Sequence, residues 1–571
     1  MYCKELIRNF ILLAYADIYN KRQYDIVGTK DDQHFLLIQS YNFESESYEQ
    51  VFEYKFEDKI FSVTPGNFER NGKTSLVITF RKAKKYHMKF MEFSLNKNVL
   101  SADISELGTS DTVPMAVTDY LTLSPTLVFS SDKDISLFRY NLSSKVMTRK
   151  KLIKLGKNED LDIDHPYSFV DLDGDLRAEL VLVTRIGGKR YIKVYKMGPN
   201  EYYEIFSIEV SSGEIGPILF GDFNNSGVNS MVFISKEKDD LFYLNIYLNN
   251  LKRYEPKYYK KNTLSADIQN PESVLFSNTP KYFKQTPFNR FKQDYNPVLK
   301  IDLQDKEKEG SIPGGIFTTD IDLDGYLELF ITVRKPDNKL VILPLRFDPN
   351  SEEFVYFSKA KDLLNIENVI SFSTIDYNNR GKENIIINRI SDTKLVLESY
   401  YNPLNDSNMK LSLTTTLLDK IHASYGMGLP GASYLLITNH GSSLGITNNF
   451  GPGPFLHLVS QTTTIGLGDS TYMIDCLKIG VPAIDANYKT LYVIQTNIIQ
   501  NFDLIIFIDK NGKYKIEAFF KIVKYAQRII YVLITVIIAN IIVVLILYWK
   551  ENQKLKLART KDSMHPLFRS L

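Results

Sequence analysis

The stretch TTDIDLDGYLELFITV, Thr318 to Val333, sets Asp320, Asp322, Asp324 and Glu328 within nine residues and then runs straight into apolar sequence. The same offsets recur in FVDLDGDLRAELVLVT, with Asp171, Asp173, Asp175 and Glu179. Weaker copies are FGDFNNSGVNSMVFIS from Asp222, TIDYNNRGKENIIINR from Asp376 and PGNFERNGKTSLVITF from Asn67. A skeletal copy, VTDYLTLSPTLVFSS from Asp119, keeps only the apolar flanks. The first positions, 67, 119, 171, 222, 320 and 376, are about 50 residues apart, except for one step of about 98. A period near 50 in sequence rich in Ile, Val, Phe and Tyr predicts stacked β units, and for that period propeller blades. The expected fold class is therefore all-β, with a seven-bladed propeller. The seventh repeat is assigned to a faint copy at Ile26 to Ser40, IVGTKDDQHFLLIQS. The long step is either one blade with an insertion or a doubled step with an eroded repeat near Ser265 to Ser277.

Like charges two residues apart repel, and burying them beside a strand is costly, so a bound cation is expected. Calcium takes roughly six to eight oxygens, and a tight loop can supply side chains one, three and five, the carbonyl of seven and a carboxylate at nine. The first loop offers Asp320, Asp322, Asp324, the Tyr326 carbonyl and Glu328, with Gly325 at position six free to take positive φ. The second offers Asp171, Asp173, Asp175, the Arg177 carbonyl and Glu179, but Gly174 stands at four and Leu176 at six, which predicts a strained or different turn. A third, poorer in charge, offers Asp222, Asn224 and Ser226, closed by Ser230. In the loop from Asp376, Arg380 stands where the ion would be. The flanks FITV and LVLVT read as strands, and position twelve holds Ile331 or Leu182 in place of Glu, which excludes an EF-hand. The calcium is expected to be structural.

Ile529 to Trp549 carries no charge over a length that matches a bilayer core, so one transmembrane helix is expected. Its Asn540 offers a route to a homodimer. The basic tail, 550–571, outweighs the opposite flank in Lys and Arg and is placed in the cytosol. That orientation calls for a leader, and residues 1–16 supply Lys4, Arg8, a short apolar run and Ala14-Tyr15-Ala16 as a cleavage site. The remaining boundaries are 17–400 for the propeller and 401–515 for a β-rich membrane-proximal module. Two cysteines, Cys3 and Cys476, exclude a disulfide scaffold, and Asn141, Asn224 and Asn405 open glycosylation sequons. Lys plus Arg, 69, balances Asp plus Glu, 67, and gives nucleic acid no support.

The repeat D-x-D-x-D-G-x-x-D/E followed by an apolar strand resembles the FG-GAP repeats of integrin α-chain propellers. The order of parts is similar to the T-cell immunomodulatory protein family. The likeness rests on Gly428 to Pro482, with its Gly-Leu-Gly turn at Gly466 to Gly468 and its ending Asp475 to Pro482, then on the span ending in Trp549 with Glu551 close behind. The resemblance implies a type I membrane glycoprotein, non-enzymatic, whose ectodomain binds an extracytoplasmic protein or glycan partner in adhesion or immunomodulatory signalling. A secretory-pathway assembly factor for membrane proteins is the alternative.

Other chemistry is weaker. HGSSLG, His440 to Gly445, contains G-x-S-x-G but lacks the following helix of a nucleophile elbow. The segments KRYEPKYYKK and TPKYFKQTPFNRFKQDY interleave bases with aromatics and read as a solvated insert or a partner surface. Ser358 to Ile370 reads as a short helix within an insertion.

Overall fold

The computed structural model describes residues 3–249, 283–299 and 315–564, apart from 31, 70, 83–84, 97–98, 142–145, 163–165, 199–200, 211–212, 238–240, 292–294, 379–380, 392–393, 406–407, 418–426, 438–443, 449–457, 459, 461, 470–473, 485–489, 510–511 and 521–523. The eroded-repeat candidate near Ser265, the KRYEPKYYKK segment, Arg380 and all but the end of HGSSLG lie outside the described residues.

Seven antiparallel sheets follow one another in chain order. Blade 1 is Ile11–Ala16, Asp25–Thr29, Phe35–Asn42 and Ser47–Lys55, and blade 2 is Ile60–Gly66, Ser75–Lys82, Lys85–Asn96 and Val99–Ser110. Blade 3 is Met115–Asp119, Ser124–Ser131, Asp134–Asn141 and Val146–Lys154. Blade 4 pairs Tyr167–Val170 and Glu159–Leu161 with Glu179–Ile186, then Lys189–Met197 and Tyr202–Glu209. Blade 5 pairs Leu219–Gly221 and Glu214–Ile215 with Ser230–Lys236, then Phe242–Tyr247 and Phe283–Pro287. Blade 6 pairs Ile316–Thr319 and Asn296–Pro297 with Glu328–Arg334, then Leu340–Asp348 and Glu353–Tyr356. Blade 7 is Val369–Ile375, Asn384–Ser391 and Lys394–Tyr400, and its outermost strand is the N-terminal Cys3–Arg8, with Cys3 opposite Tyr400 and Arg8 opposite Val396.

Side chains alternate along a strand, so a strand sandwiched between two neighbouring sheets is apolar on both faces and reads as a continuous hydrophobic run. The second strand of blade 4 shows this: Leu180 and Leu182 pack toward blade 3 with Val117 and Val128, while Val181 and Val183 pack toward blade 5 with Phe220 and Phe233. Each junction between successive blades holds such a cluster, among them Val63 with Val27, Phe68 with Phe129, Leu329 with Val232, and Phe330 with Phe372. The seventh, Phe10 and Tyr15 against Ile375 and Ile386, joins blade 7 back to blade 1. Seven sheets joined by seven cores form a closed seven-bladed propeller, as the repeat period predicts.

Ile11–Ala16 is the buried inner strand of blade 1, and Cys3–Arg8 closes the ring. One expectation is corrected. The seventh repeat is not at Ile26. Its loop starts at Asp17 and ends at Asp25, which restores a step of about 50 to Asn67. The step of about 98 belongs to a single blade, because Phe283–Pro287 pairs with Phe242–Tyr247 as the outer strand of blade 5. Part of the base-aromatic insert is thus structural, with Phe288 buried behind that strand.

After the propeller come two further four-stranded sheets. One is Leu444–Asn448, Ser433–Ile437, Ile474–Ile484 and Thr490–Ile498. The other is Thr463–Gly468, Met409–Leu417, Phe502–Ile508 and Tyr514–Phe520, with Met409–Leu417 and Phe502–Ile508 parallel. Leu411, Leu413, Tyr434, Leu477, Ile479 and Ile506 share one core between them, which makes the module a β-sandwich. A separate unit follows, the helix Lys524–Met564, long and apolar enough from Ile530 onward to cross a membrane. Ser358–Asn365, expected as a helix, is a 3-10 segment that buries Leu363 and Leu364.

Candidate metal centre

Each acidic loop joins the inner strand of a blade to the second. In blade 4 both Asp171 oxygens accept from the loop backbone, from Gly174 N at 2.7 Å and Leu176 N at 2.9 Å, and Glu179 accepts from Leu172 N at 2.8 Å. Blade 6 repeats this: Asp320 accepts from Asp324 N at 3.0 Å and Gly325 N at 2.8 Å, and Glu328 accepts from Ile321 N at 3.0 Å. Asp222 binds Ser226 N and Gly227 N in blade 5, Asp17 binds Lys21 N and Arg22 N in blade 1, and Asp376 binds Gly381 N in blade 7. The first position is therefore a cap for the turn's amides, whatever else it does.

The turn in blade 4 is the same as the others, against expectation. Positions four and six take positive φ in blade 6, Leu323 at 56° and Gly325 at 93°, and in blade 5, Asn225 at 52° and Gly227 at 78°. Blade 4 has only moved its glycine: Gly174 is at 74° and Leu176 at 68°. A leucine held there costs about 1 kcal/mol or more. Its side chain recovers this by packing, fully buried, against Leu435 and Ile437 of the sandwich.

That contact is one of several by which the sandwich covers this face of the propeller. Gly468 N donates to the Leu323 carbonyl at 2.8 Å, Asn408 Nδ2 to the Asp322 carbonyl at 2.6 Å, and Thr118 Oγ1 to the Pro430 carbonyl at 2.7 Å. Leu123 of the blade 3 loop enters the sandwich core, and the Arg22 guanidinium lies 3.5 Å from the Phe519 ring centroid. The loops of blades 1, 3, 4 and 6 thus meet the sandwich.

Among the described residues, two groups of carboxylates converge closely enough to hold a metal ion, Asp171 with Asp173 and Glu179, and Asp320 with Asp322 and Asp324. Burial is the first reason their acidities fall. It lifts Asp320 and Glu328 well above the usual carboxylate range, with neighbouring acids adding to the shift, and it lifts Glu179 likewise. Asp173 is pushed up to about 6 by burial and by Asp175. In blade 6, Asp322 Oδ1 and Glu328 Oε1 are buried with no hydrogen-bond partner, which suits an oxygen-seeking cation. The amides of Tyr326 and Arg177, at the carbonyl-ligand position, donate to Asp324 at 3.1 Å and Asp175 at 2.9 Å. Blade 5 presents one carboxylate, Asp222, beside Ser226 and an Asn224 whose amide oxygen is buried and unpartnered.

Sequence reasoning missed the cations that face these acids. Arg346, directly opposite Glu328 on the third strand of blade 6, reaches Asp324 and lies 3.6 Å from Asp322 and 3.7 Å from Glu328. Lys359 of the 3-10 segment adds a contact to Asp322 at 2.9 Å. Lys196, in the matching place in blade 4, touches Asp173, with Asp175 at 2.8 Å and Glu179 at 3.5 Å. In blade 3, whose loop has lost its other acids, Arg139 meets Asp119 at 2.6 Å. The signal available is a basic residue one hairpin downstream of Glu179 and of Glu328, Lys196 and Arg346.

No family model matches the chain, and no curated protein matches it. Among solved structures, one titled as the crystal structure of BBS1N in complex with ARL6DN, soaked with lead, aligns over 71% of this chain and 97% of that one, at 8% identity and a TM-score of 0.34. So loose a superposition carries nothing further, and the propeller rests on its own sheet order.

Proposed function

We propose that the chain is a single-pass type I membrane protein whose propeller, outside the cytosol, binds a protein or glycan partner. The observation that carries this is the covered face. With Leu176, Leu323 and Leu123 committed to the sandwich, the hairpin tips on the opposite face are what the ring offers to a partner. The resemblance to the T-cell immunomodulatory protein family extends the reading to adhesion or cell-interaction signalling. Calcium is the cation proposed for the blade 6 loop, held by Asp320, Asp322, Asp324 and Glu328, where it would join acids that otherwise repel. No catalytic step is assigned to these residues, and the helix from Ile530 provides the anchor.

The reading is tested with an epitope tag after Leu571 and a second within the 187–188 turn, in cells expressing the full chain. Antibody should reach the blade 4 tag on intact cells and the tail tag only after permeabilisation. A tail tag exposed on intact cells would overturn the orientation. A blade 4 tag reached only after internal membranes are opened would favour the assembly-factor alternative.

A further inference from the structure

We infer that Lys196 is the resident cation of the blade 4 acidic ring, so that this loop is closed by the chain's own ammonium while the blade 6 loop takes a divalent ion. The inference deepens the calcium reading above and rests on it for blade 6 alone.

Lys196 lies on the third strand of blade 4, one residue beyond the Leu180–Tyr195 pair and so across from Glu179. Its side chain is 7% exposed, and every acid within ion-pair reach of it belongs to the ring: Asp173, Asp175 and Glu179. A buried ammonium is stable only when paired, and three donors on one nitrogen suit three carboxylates. Most of the ring's other oxygens are already used: Asp171 and Glu179 Oε2 cap backbone amides, Asp173 Oδ1 accepts from Asp175 N at 3.2 Å, and Asp175 Oδ1 accepts from Arg177 N at 2.9 Å. Glu179 Oε1 is buried without a hydrogen bond and lies 3.5 Å from Lys196 Nζ. Calcium would need roughly six oxygens at about 2.3 to 2.6 Å around the point the ammonium occupies, and the two cannot share it.

Blade 6 differs in the shape of its cation. A guanidinium is planar and broad, and that of Arg346 rests on Asp324 toward the rim, 5.5 Å from the Tyr326 ring centroid and 5.3 Å from that of Phe357. Glu328 Oε1 and Glu179 Oε1 are alike in being buried without a hydrogen bond, but Asp322 Oδ1 also lacks one, whereas its blade 4 counterpart, Asp173 Oδ1, accepts from Asp175 N. Lys196 brings a point charge to 2.8 Å from Asp175 and 3.5 Å from Glu179, while the broad guanidinium of Arg346 stays 3.6 Å from Asp322 and 3.7 Å from Glu328.

The experiment counts calcium bound by the full chain in detergent, stripped with chelator and reloaded with calcium alone. One equivalent is expected, lost in Asp322→Asn/Asp324→Asn and unaffected by Asp173→Asn. Adding Lys196→Met to the blade 6 double variant should restore one equivalent, now sensitive to Asp173→Asn. An equivalent in the Lys196-containing chain that Asp173→Asn removes would overturn the inference. So would a folded Lys196→Met chain that gains none. If Lys196→Met does not fold, the response of the unmodified chain to Asp173→Asn still decides. Failure of the blade 6 reading appears separately, as calcium binding that Asp322→Asn/Asp324→Asn leaves intact.

Discussion

Gly480 lies against Leu176: a Cβ at position 480 would overlap the Leu176 carbonyl oxygen and its Cβ. The sandwich strand Ile474–Ile484 can approach the blade 4 loop this closely only because residue 480 has no side chain. Gly480→Ala should therefore force the two domains apart. A destabilisation of about 1–3 kcal/mol is expected from overpacking, seen as a lower thermal midpoint and faster amide exchange at Leu435. An unchanged midpoint and unchanged exchange would show that the contact contributes nothing.

The N-terminal strand makes a second test. Intact mass of the purified chain should include Cys3 to Ala16, and deletion of residues 1–8 should leave the Lys394–Tyr400 edge unpaired and lower the unfolding midpoint. A purified protein that starts beyond Ala16 and unfolds with a single sharp transition would support the leader reading instead.

Stability should also depend on pH through blade 1. Burial raises Asp17 to about 7 and Asp25 to about 6, each above the roughly 3.9 of a free aspartate. The folded state thus keeps protons that the unfolded state releases. The associated stability is present below about pH 4 and is lost as pH rises through 6 to 7. Asp25→Asn can still accept from Ile18 N, now 2.8 Å from Asp25, without the charge. It should stabilise the protein at pH 8 by up to about 3 kcal/mol and have little effect near pH 4, measured by thermal unfolding across that range. Equal effects at both pH values would refute the assignment.

Calcium removal should act through blade 6. At 100 times the dissociation constant a bound ion adds about 2.7 kcal/mol, so chelator should lower the thermal midpoint of the full chain by a few degrees. Asp322→Asn/Asp324→Asn should abolish that response. A chelator effect that persists in the double variant would move the ion elsewhere.

Much of this architecture can be read in the chain because propeller loops repeat their acids at fixed offsets. The repeat at Asp17 escaped because Tyr19 and Lys21 stand where acids are expected, leaving Asp17 and Asp25 alone. Its preceding strand also misleads: Phe10 to Ala16 is apolar because both its faces are buried, and such a run is indistinguishable from the core of a leader. Lys196 and Arg346 could not be assigned to the loops without the strand register, which brings residues one hairpin apart face to face. Gly466 and Gly480 are visible as glycines in the sequence, but only the assembled domains show what presses on them: Asp320 and Leu323 against one, Leu176 against the other.

Closure by Cys3–Arg8 sets an order of events during synthesis. This strand is made long before its partner, since Lys394–Tyr400 emerges only after six blades have been translated. At roughly 5 to 20 residues per second that interval is on the order of 20 to 80 s. Throughout it the nascent chain carries an unmatched strand ahead of its first blade, so the ring is exposed to mispairing with other chains until its seventh sheet leaves the ribosome.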